Sequence, residues 1–219
     1  MTNNSIFISG TNTDIGKTLV SAMIMSAAQS QKINLHYFKP IQTGTDLDEE
    51  TVKKLADLPD EKTIKPIFSF QLPAAPYRAA LAESKKIDIN LIAHHFKKYA
   101  PLSCVVEGAG GLLVPLTEKL LVRDLIKRLN LPLLIVASTQ LGTINHTLLT
   151  IEAALAKKIS IKGIILSGTP DTGLSDTLRQ FTDVPILAEI PWLEKISPEN
   201  LKKISPTIFD KKLLKEIFQ

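Results

Sequence analysis

The sequence holds a single cysteine, Cys104, so no intramolecular disulfide can form. Its setting in Ser103-Cys104-Val105-Val106 points to a small buried hydrophobe and fits a reducing compartment. Arginine is scarce too: Arg78, Arg123, Arg128 and Arg179 are scattered, which leaves no arginine-rich face to read base edges and argues against a nucleic-acid partner. No apolar run approaches the roughly 20 residues of a membrane-spanning helix, and the longest, Leu131 to Ala137, has the length of a strand. The stretch from Met1 to Ser9 lacks the basic and apolar regions of a secretion signal, so a cytoplasmic protein with no membrane association is expected. Ten glycines and 13 prolines in 219 residues are too few for a fibrous or low-complexity chain.

What is present reads as a globular protein. With 44% apolar and 22% charged residues, the chain is expected to form one domain over residues 1–219 with a sizeable core. The net charge of +4 rests on lysines, several in pairs such as Lys53-Lys54 and Lys157-Lys158, a pattern of solvated helix surfaces. Short β-branched runs alternate with helix-length amphipathic stretches, the pattern of parallel βα units. The expected strands are Ser5–Ser9, Leu35–Lys39, Ser103–Val106, Leu133–Ala137, Ile161–Leu166 and Ile186–Ile190. Most are apolar throughout rather than alternating, so both faces should be covered: a three-layer α/β/α fold on a mostly parallel sheet. Helical stripes are expected at Ile89, Ile92, Phe96 and Tyr99, and at Ile144, Leu148, Ile151 and Leu155. The lysine-rich tail from Ser197 to Gln219 reads as partly helical surface.

The strongest chemical signal is Gly10-Thr11-Asn12-Thr13-Asp14-Ile15-Gly16-Lys17-Thr18, between the first strand and the helix carrying Leu19, Val20 and Met23. Backbone N–H groups and a helix N-terminus favour an anion there, Lys17 reaches β/γ-phosphates, and the Thr18 hydroxyl suits Mg²⁺. Five residues separate Gly10 from Gly16 where the usual phosphate loop has four, so either Thr11 holds the first-glycine position or the loop is longer by one.

Other features fall at the C-terminal ends of expected strands, where parallel sheets bind ligands. Val105-Val106-Glu107-Gly108-Ala109-Gly110-Gly111 ends a strand in a carboxylate that either faces the phosphate loop and holds Mg²⁺ or caps a helix. Lys39-Pro40-Ile41-Gln42-Thr43-Gly44 adds a second cation, suited to an anionic substrate or transition state. The acids Asp46, Asp48, Glu49 and Glu50 are either a solvated helix start or the completion of a metal site. In Gln140-Leu141-Gly142-Thr143-Ile144-Asn145-His146, N–H groups would hold a carboxylate, or Thr143 or Asn145 would simply cap the helix. His94 and His95 point about 100° apart on a helix, poor geometry for one metal, and read as surface or packing residues.

In this order and spacing, GTNTDIGKT, KPIQTG, VEGAGG, LGTINHTLLT and EIPWL closely resemble dethiobiotin synthetase, over Ser5 to about Leu193. The resemblance implies a P-loop NTPase-like fold and a homodimeric cyclo-ligase of biotin synthesis. Such an enzyme takes ATP, with Mg²⁺ as cofactor, and joins CO₂ to 7,8-diaminononanoate. It implies Lys39 and Lys17 as catalytic residues. It implies Thr18, Asp48 and Glu107 as the metal set, Asp48 being preferred to Asp46 or Glu49 because Asp48-Glu49-Glu50-Thr51-Val52 fits the family's helix start. Nucleotide contacts are implied for Thr13, Asp14, Ile15, Gly16, Lys17, Thr18, Leu19, Asp48, Glu107, Gly108, Ala109, Gly110, Ser167, Gly168, Pro191, Trp192 and Leu193. Substrate contacts are implied for Thr11, Lys39 and Thr43, and for Gly142, Thr143, Ile144 and Asn145, the last four receiving the substrate carboxylate across the dimer interface.

Two departures stand out. Where members of the family commonly carry Asn-Asp to read adenine, this chain has Ser167-Gly168, which predicts relaxed nucleotide selectivity. Tyr77 stands where a histidine often follows Pro-x-x-Pro. A different-class alternative is a nucleotide switch resembling partition ATPases of the ParA/MinD kind. Those typically carry a lysine near the start of the loop, and Gly10 to Asp14 has none. Amide ligases of cobalamin synthesis would need a further glutaminase domain, for which 219 residues leave no room.

Overall fold

The computed structural model describes residues 4–99 and 101–218. The chain runs β1 (Ile6–Gly10), α1 (Lys17–Ser30), β2 (Leu35–Phe38), β3 (Ile41–Thr43), α2 (Asp48–Leu55), β4 (Thr63–Ile64), β5 (Phe68–Phe70), α3 (Pro76–Ala82) and α4 (Ile89–Lys97). It continues through β6 (Ser103–Gly111), α5 (Val122–Leu129), β7 (Leu133–Ser138), α6 (Thr143–Leu155), β8 (Ile161–Gly168), α7 (Leu174–Phe181), β9 (Ile186–Pro191), α8 (Pro198–Ile208) and α9 (Lys211–Phe218). Seven strands form a sheet in the order β4-β2-β6-β1-β7-β8-β9, and every pairing in it is parallel. The six expected strands are all in it. The short edge strand β4 and the separate parallel pair β3-β5 were not expected: two or three residues carry no readable periodicity.

Alternation along each strand divides the core between the two faces. Phe7, Val106, Ile135 and Leu166 pack on one side with Ile92, Phe96, Ile126 and Leu178 of α4, α5 and α7. Ile8, Val105, Val136 and Ile165 pack on the other with α1, α2, α8 and α9. Three layers result, as the apolar strands implied. Cys104 is fully buried, and burial pushes its thiol up to about 12.

Two readings need correction. The segment after Ser197 is not surface: Leu201, Phe209, Leu214 and Ile217 are almost completely buried against the α1 side of the sheet. The reason lies in α1, which is mostly apolar and buried on every side from Val20 to Ala28, so it needs cover on its outer face as well as on the sheet. On α6 the buried face consists of Thr143, Thr147, Thr150, Ile151 and Ala154, whereas Leu155 is exposed and Ile144 and Leu148 are half-buried. Three threonines hid this stripe from a reading based on apolar spacing. On α4 Ile89, Ile92 and Phe96 are buried as expected, while Tyr99 lies past the helix end, half-buried, with His95 tilted against it and Phe38.

Candidate active site

The phosphate loop spans the gap between β1 and α1 at the C-terminal edge of the sheet. Gly16 precedes α1 at φ +94°, a backbone conformation that favours glycine, and a Cβ there would lie a tight 3.1 Å from Ser167 Oγ. Lys17 opens α1, is buried, and donates from Nζ to the Asn12 carbonyl oxygen at 3.2 Å. Burial, and after it the Lys39 ammonium, hold Lys17 below the usual lysine range, while Glu107, Asp48 and Asp14 pull the other way. Thr11, Thr13, Asp14 and Ile15 lie on the loop, with the Thr11 N–H donating to Val136 O at 3.0 Å. Leu19 follows in the first turn of α1.

Glu107 does not end its strand, as the sequence suggested. β6 continues through the glycines to Gly111, and Ile8 lies opposite Glu107 in the register. Glycine makes this possible, because a Cβ at Gly108 would come within 2.7 Å of the Phe7 ring and one at Gly111 within 3.1 Å of Gly10 O. The Glu107 carboxylate is wholly buried and shares the face of Val105, toward α1. Oε1 accepts from Thr18 Oγ1 and Lys39 Nζ, each at 3.0 Å, and Oε2 from Ser21 Oγ at 2.6 Å and Tyr37 OH at 3.0 Å. Lys39 also donates to Gly108 O at 3.0 Å and lies 2.7 Å from Asp48 Oδ2. Burial alone would lower the Lys39 pKa, but Glu107 and Asp48 outweigh it and the net shift is upward, so Lys39 is an ammonium at neutral pH. Tyr37 is pushed well above the usual phenol range by burial and then by Glu107, and it stays protonated.

Asp48 begins α2, and its Oδ1 accepts from Thr18 Oγ1 at 2.9 Å. Gln42 ties this turn together, donating to Thr43 O and Asp46 O while its Oε1 accepts from the Asp48 N–H. Of the neighbouring acids, Asp46 is exposed, and Glu49 turns toward Thr63, with burial first raising its pKa. Among the described residues, Thr18, Asp48 and Glu107 thus form one constellation with Lys39 at its centre. Ser21, Tyr37 and Gln42 were missed by the sequence reading. Ser21 follows Thr18 by three positions on one face of α1, and Tyr37 precedes Lys39 by two on one face of the β2 segment, so periodicity held the signal for both.

A groove of about 390 Å³ adjoins the loop, lined by Thr11, Asn12, Thr13, the segment Gly111–Pro115, and His146, Leu149, Thr150 and Ala153 of α6. Leu113 and Leu149 in it, and Leu141 beyond it, are exposed apolar side chains. Gly142, at φ +92°, precedes α6, and neither Thr143 nor Asn145 caps the helix through its side chain. Thr143 is buried, Ile144 half-buried and Asn145 exposed. Ser167 and Gly168 end β8 in register with Ile190 and Pro191, and Trp192 beyond them is exposed. A Cβ at Gly168, whose φ is +140°, would lie 2.5 Å from Thr139 Oγ1. Ala109 and Gly110 lie on the last part of β6, facing Thr13 and Val114 around Gly110.

Residues 4–200 match the family described as an AAA domain. Over 179 residues the chain is 38% identical to the ATP-dependent dethiobiotin synthetase BioD of Leptospira interrogans, covering 82% of this chain and 80% of that protein. It is 36% identical to BioD of Paramagnetospirillum magneticum, covering 93% and 96%. A 43% identical match to the biotin biosynthesis bifunctional protein BioCD of Bordetella avium covers 89% of this chain but only 41% of that longer protein. Among solved structures, pNOB8 ParA bound to nonspecific DNA is similar in fold, with a TM-score of 0.60 at 13% identity over 97% of both chains. The ParA family ATPase of Chlorobium tepidum has a TM-score of 0.56 at 17% identity, over 98% of this chain and 97% of that one. The P-loop α/β fold is therefore shared with ParA proteins, while the sequence likeness runs to dethiobiotin synthetases. This chain belongs to the ATP-dependent dethiobiotin synthetase family.

Proposed function

We propose that this protein carries out the ATP-dependent carboxylation and ring closure of 7,8-diaminononanoate with CO₂, giving dethiobiotin, ADP and phosphate through a carbamate and a carbamic-phosphoric anhydride. The observation that carries the reading is the buried Lys39 ammonium, held by Glu107 and Asp48 and near enough to Lys17 of the phosphate loop to act on it electrostatically. One amine of the substrate captures CO₂ as a carbamate, the γ-phosphoryl passes to a carbamate oxygen, and the second amine closes the ring and expels phosphate. Charge gathers on phosphoryl and carbamate oxygens, and Lys17 and Lys39 stabilise it from fixed positions. Phosphoryl transfer needs mainly such positioning, and the protons pass to substrate or phosphate oxygens.

The donor set suits Mg²⁺: a hydroxyl and two carboxylates, all hard oxygens, lie together, with Thr18 Oγ1 2.9 Å from Asp48 Oδ1 and 3.0 Å from Glu107 Oε1. Thr18, Asp48 and Glu107 would hold the metal, which would supply positive charge against the phosphoryl oxygens. The groove beside Thr11 has the size and the apolar lining for the alkyl chain of the diamine. Exposed Leu113, Leu141 and Leu149 favour a homodimer in which Gly142, Ile144 and Asn145 offer N–H groups to the substrate carboxylate of the partner subunit, while the N–H of Thr143 is already donated to Gln140 O at 3.1 Å. Pro191, Trp192 and Leu193 wall the base, and a cytoplasmic setting fits an enzyme of this metabolism. Among the described residues no helix is long and apolar enough to cross a membrane.

The test is phosphate release from MgATP and bicarbonate, with and without 7,8-diaminononanoate, with mass detection of the cyclic urea. Diamine-dependent release with urea formation is expected. Equal release without the diamine, and no urea, would move the function to a nucleotide switch of the kind the ParA fold hosts.

A further inference from the structure

The hydrogen bonds of Glu107 are unequally shared between its two oxygens. Among the described residues Oε2 accepts from Tyr37 OH and Ser21 Oγ alone, while Oε1 faces Thr18 and Lys39. All three of Glu107, Tyr37 and Ser21 have no solvent exposure. A carboxylate in a dry site with two hydroxyls fixed on one oxygen cannot rotate without leaving them unpartnered, so its other oxygen has a single direction. The hydroxyls come from different elements, Ser21 one turn beyond Thr18 on α1 and Tyr37 on β2, which fixes the carboxylate both along and across the sheet.

We propose that Tyr37 and Ser21 are positioning residues that hold Oε2 of Glu107 and thereby aim Oε1 at the metal position beside Thr18 and Asp48. This rests on the reading above that Glu107 ligates Mg²⁺. Neither hydroxyl touches substrate or metal; both act through the carboxylate. A purely structural role predicts something different: losing either hydroxyl would lower the melting temperature and leave metal affinity alone.

The experiment is a Mn²⁺ titration of the full chain with ADP, followed by electron paramagnetic resonance, on wild type, Tyr37→Phe, Ser21→Ala, Ser21→Thr and Glu107→Gln. ADP affinity in excess chelator and thermal melting are measured in parallel. Tyr37→Phe and Ser21→Ala are each expected to weaken Mn²⁺ about tenfold. Metal-free ADP binding should stay within about twofold, and Ser21→Thr, which keeps the hydroxyl, should recover wild-type affinity. If Glu107→Gln weakens Mn²⁺ but Tyr37→Phe and Ser21→Ala do not, the positioning role is overturned while the metal reading stands. If Glu107→Gln leaves Mn²⁺ affinity unchanged, the metal reading falls and takes this inference with it. Should Tyr37→Phe fail to fold, the Ser21 pair decides the matter alone.

Discussion

Lys39 and Glu107 form an ion pair, Nζ to Oε1 at 3.0 Å, in which both side chains are almost fully buried. Register brings them together: Tyr37 lies opposite Val105 on neighbouring strands, so the residues two further along each chain meet on the α1 side. An ammonium fixed there is already oriented and dry, the condition under which a charge stabilises a transition state most effectively. Lys39→Ala should lower kcat by about 10²–10³-fold, the range for removing one preorganised electrostatic donor. ATP affinity should change little, since Lys17 and the loop N–H groups remain. Steady-state kinetics beside calorimetric ATP binding checks this, and wild-type kcat would remove Lys39 from the mechanism.

Base selectivity should be weak. Ser167 and Gly168 place a hydroxyl and bare backbone at the rim where the base would lie, and neither side chain carries an amide or carboxylate to make a bidentate contact with one base edge. Turnover with GTP and CTP is expected within about tenfold of ATP, about one step of 1.36 kcal/mol in transition-state energy. Ser167→Asn should sharpen the preference. The second residue of the pair cannot be restored as simply, because an aspartate at 168 would meet Thr139 Oγ1 in a backbone conformation reserved for glycine. Strong ATP preference in the wild type would refute the argument.

The C-terminal helices should be indispensable to stability. Phe209 is fully buried in the layer that covers α1. Phe209→Ala is expected to cost about 3–5 kcal/mol in urea unfolding, the usual range for a buried phenylalanine. A loss below about 1 kcal/mol would return the segment to the role of surface.

Asp124 supplies an acid-sensitive contribution. Its Oδ2 accepts from the Leu121 N–H at 2.8 Å at the start of α5, and its Oδ1 pairs with Lys157 at 2.7 Å. Burial alone would raise its pKa, but the Lys157 ammonium and the Leu121 N–H outweigh it and hold it below the usual carboxylate range. A folded pKa below the unfolded value of about 3.9 means the stabilisation is complete above that pH and disappears as pH falls through the folded pKa. Asp124→Ala should therefore destabilise by about 1 kcal/mol at pH 7, as for loss of a helix cap. The gap to wild type should narrow below about pH 4. A pH-independent gap in urea unfolding would rule out the charge as its source.

Much was legible in the chain. Apolar runs of strand length separated by helix periods dictate a parallel three-layer sheet, because such strands must be covered on both faces. Gly10 to Thr18 after a strand locates the phosphate loop, and motif order carries the family resemblance. These signals are local, encoded in spacing along one segment. Tertiary structure alone decided what depends on segments far apart in sequence. It brought Asp48, which the motif already preferred to Asp46 and Glu49, to within 2.9 Å of Thr18, since Gln42 fixes the turn that starts α2. It folded the lysine-rich tail over α1, and it carried β6 past Glu107, because glycines there let two backbones approach. It also drew Ser21 and Tyr37 onto one carboxylate oxygen, a meeting across 86 and 70 residues of chain that periodicity hints at but only packing brings about.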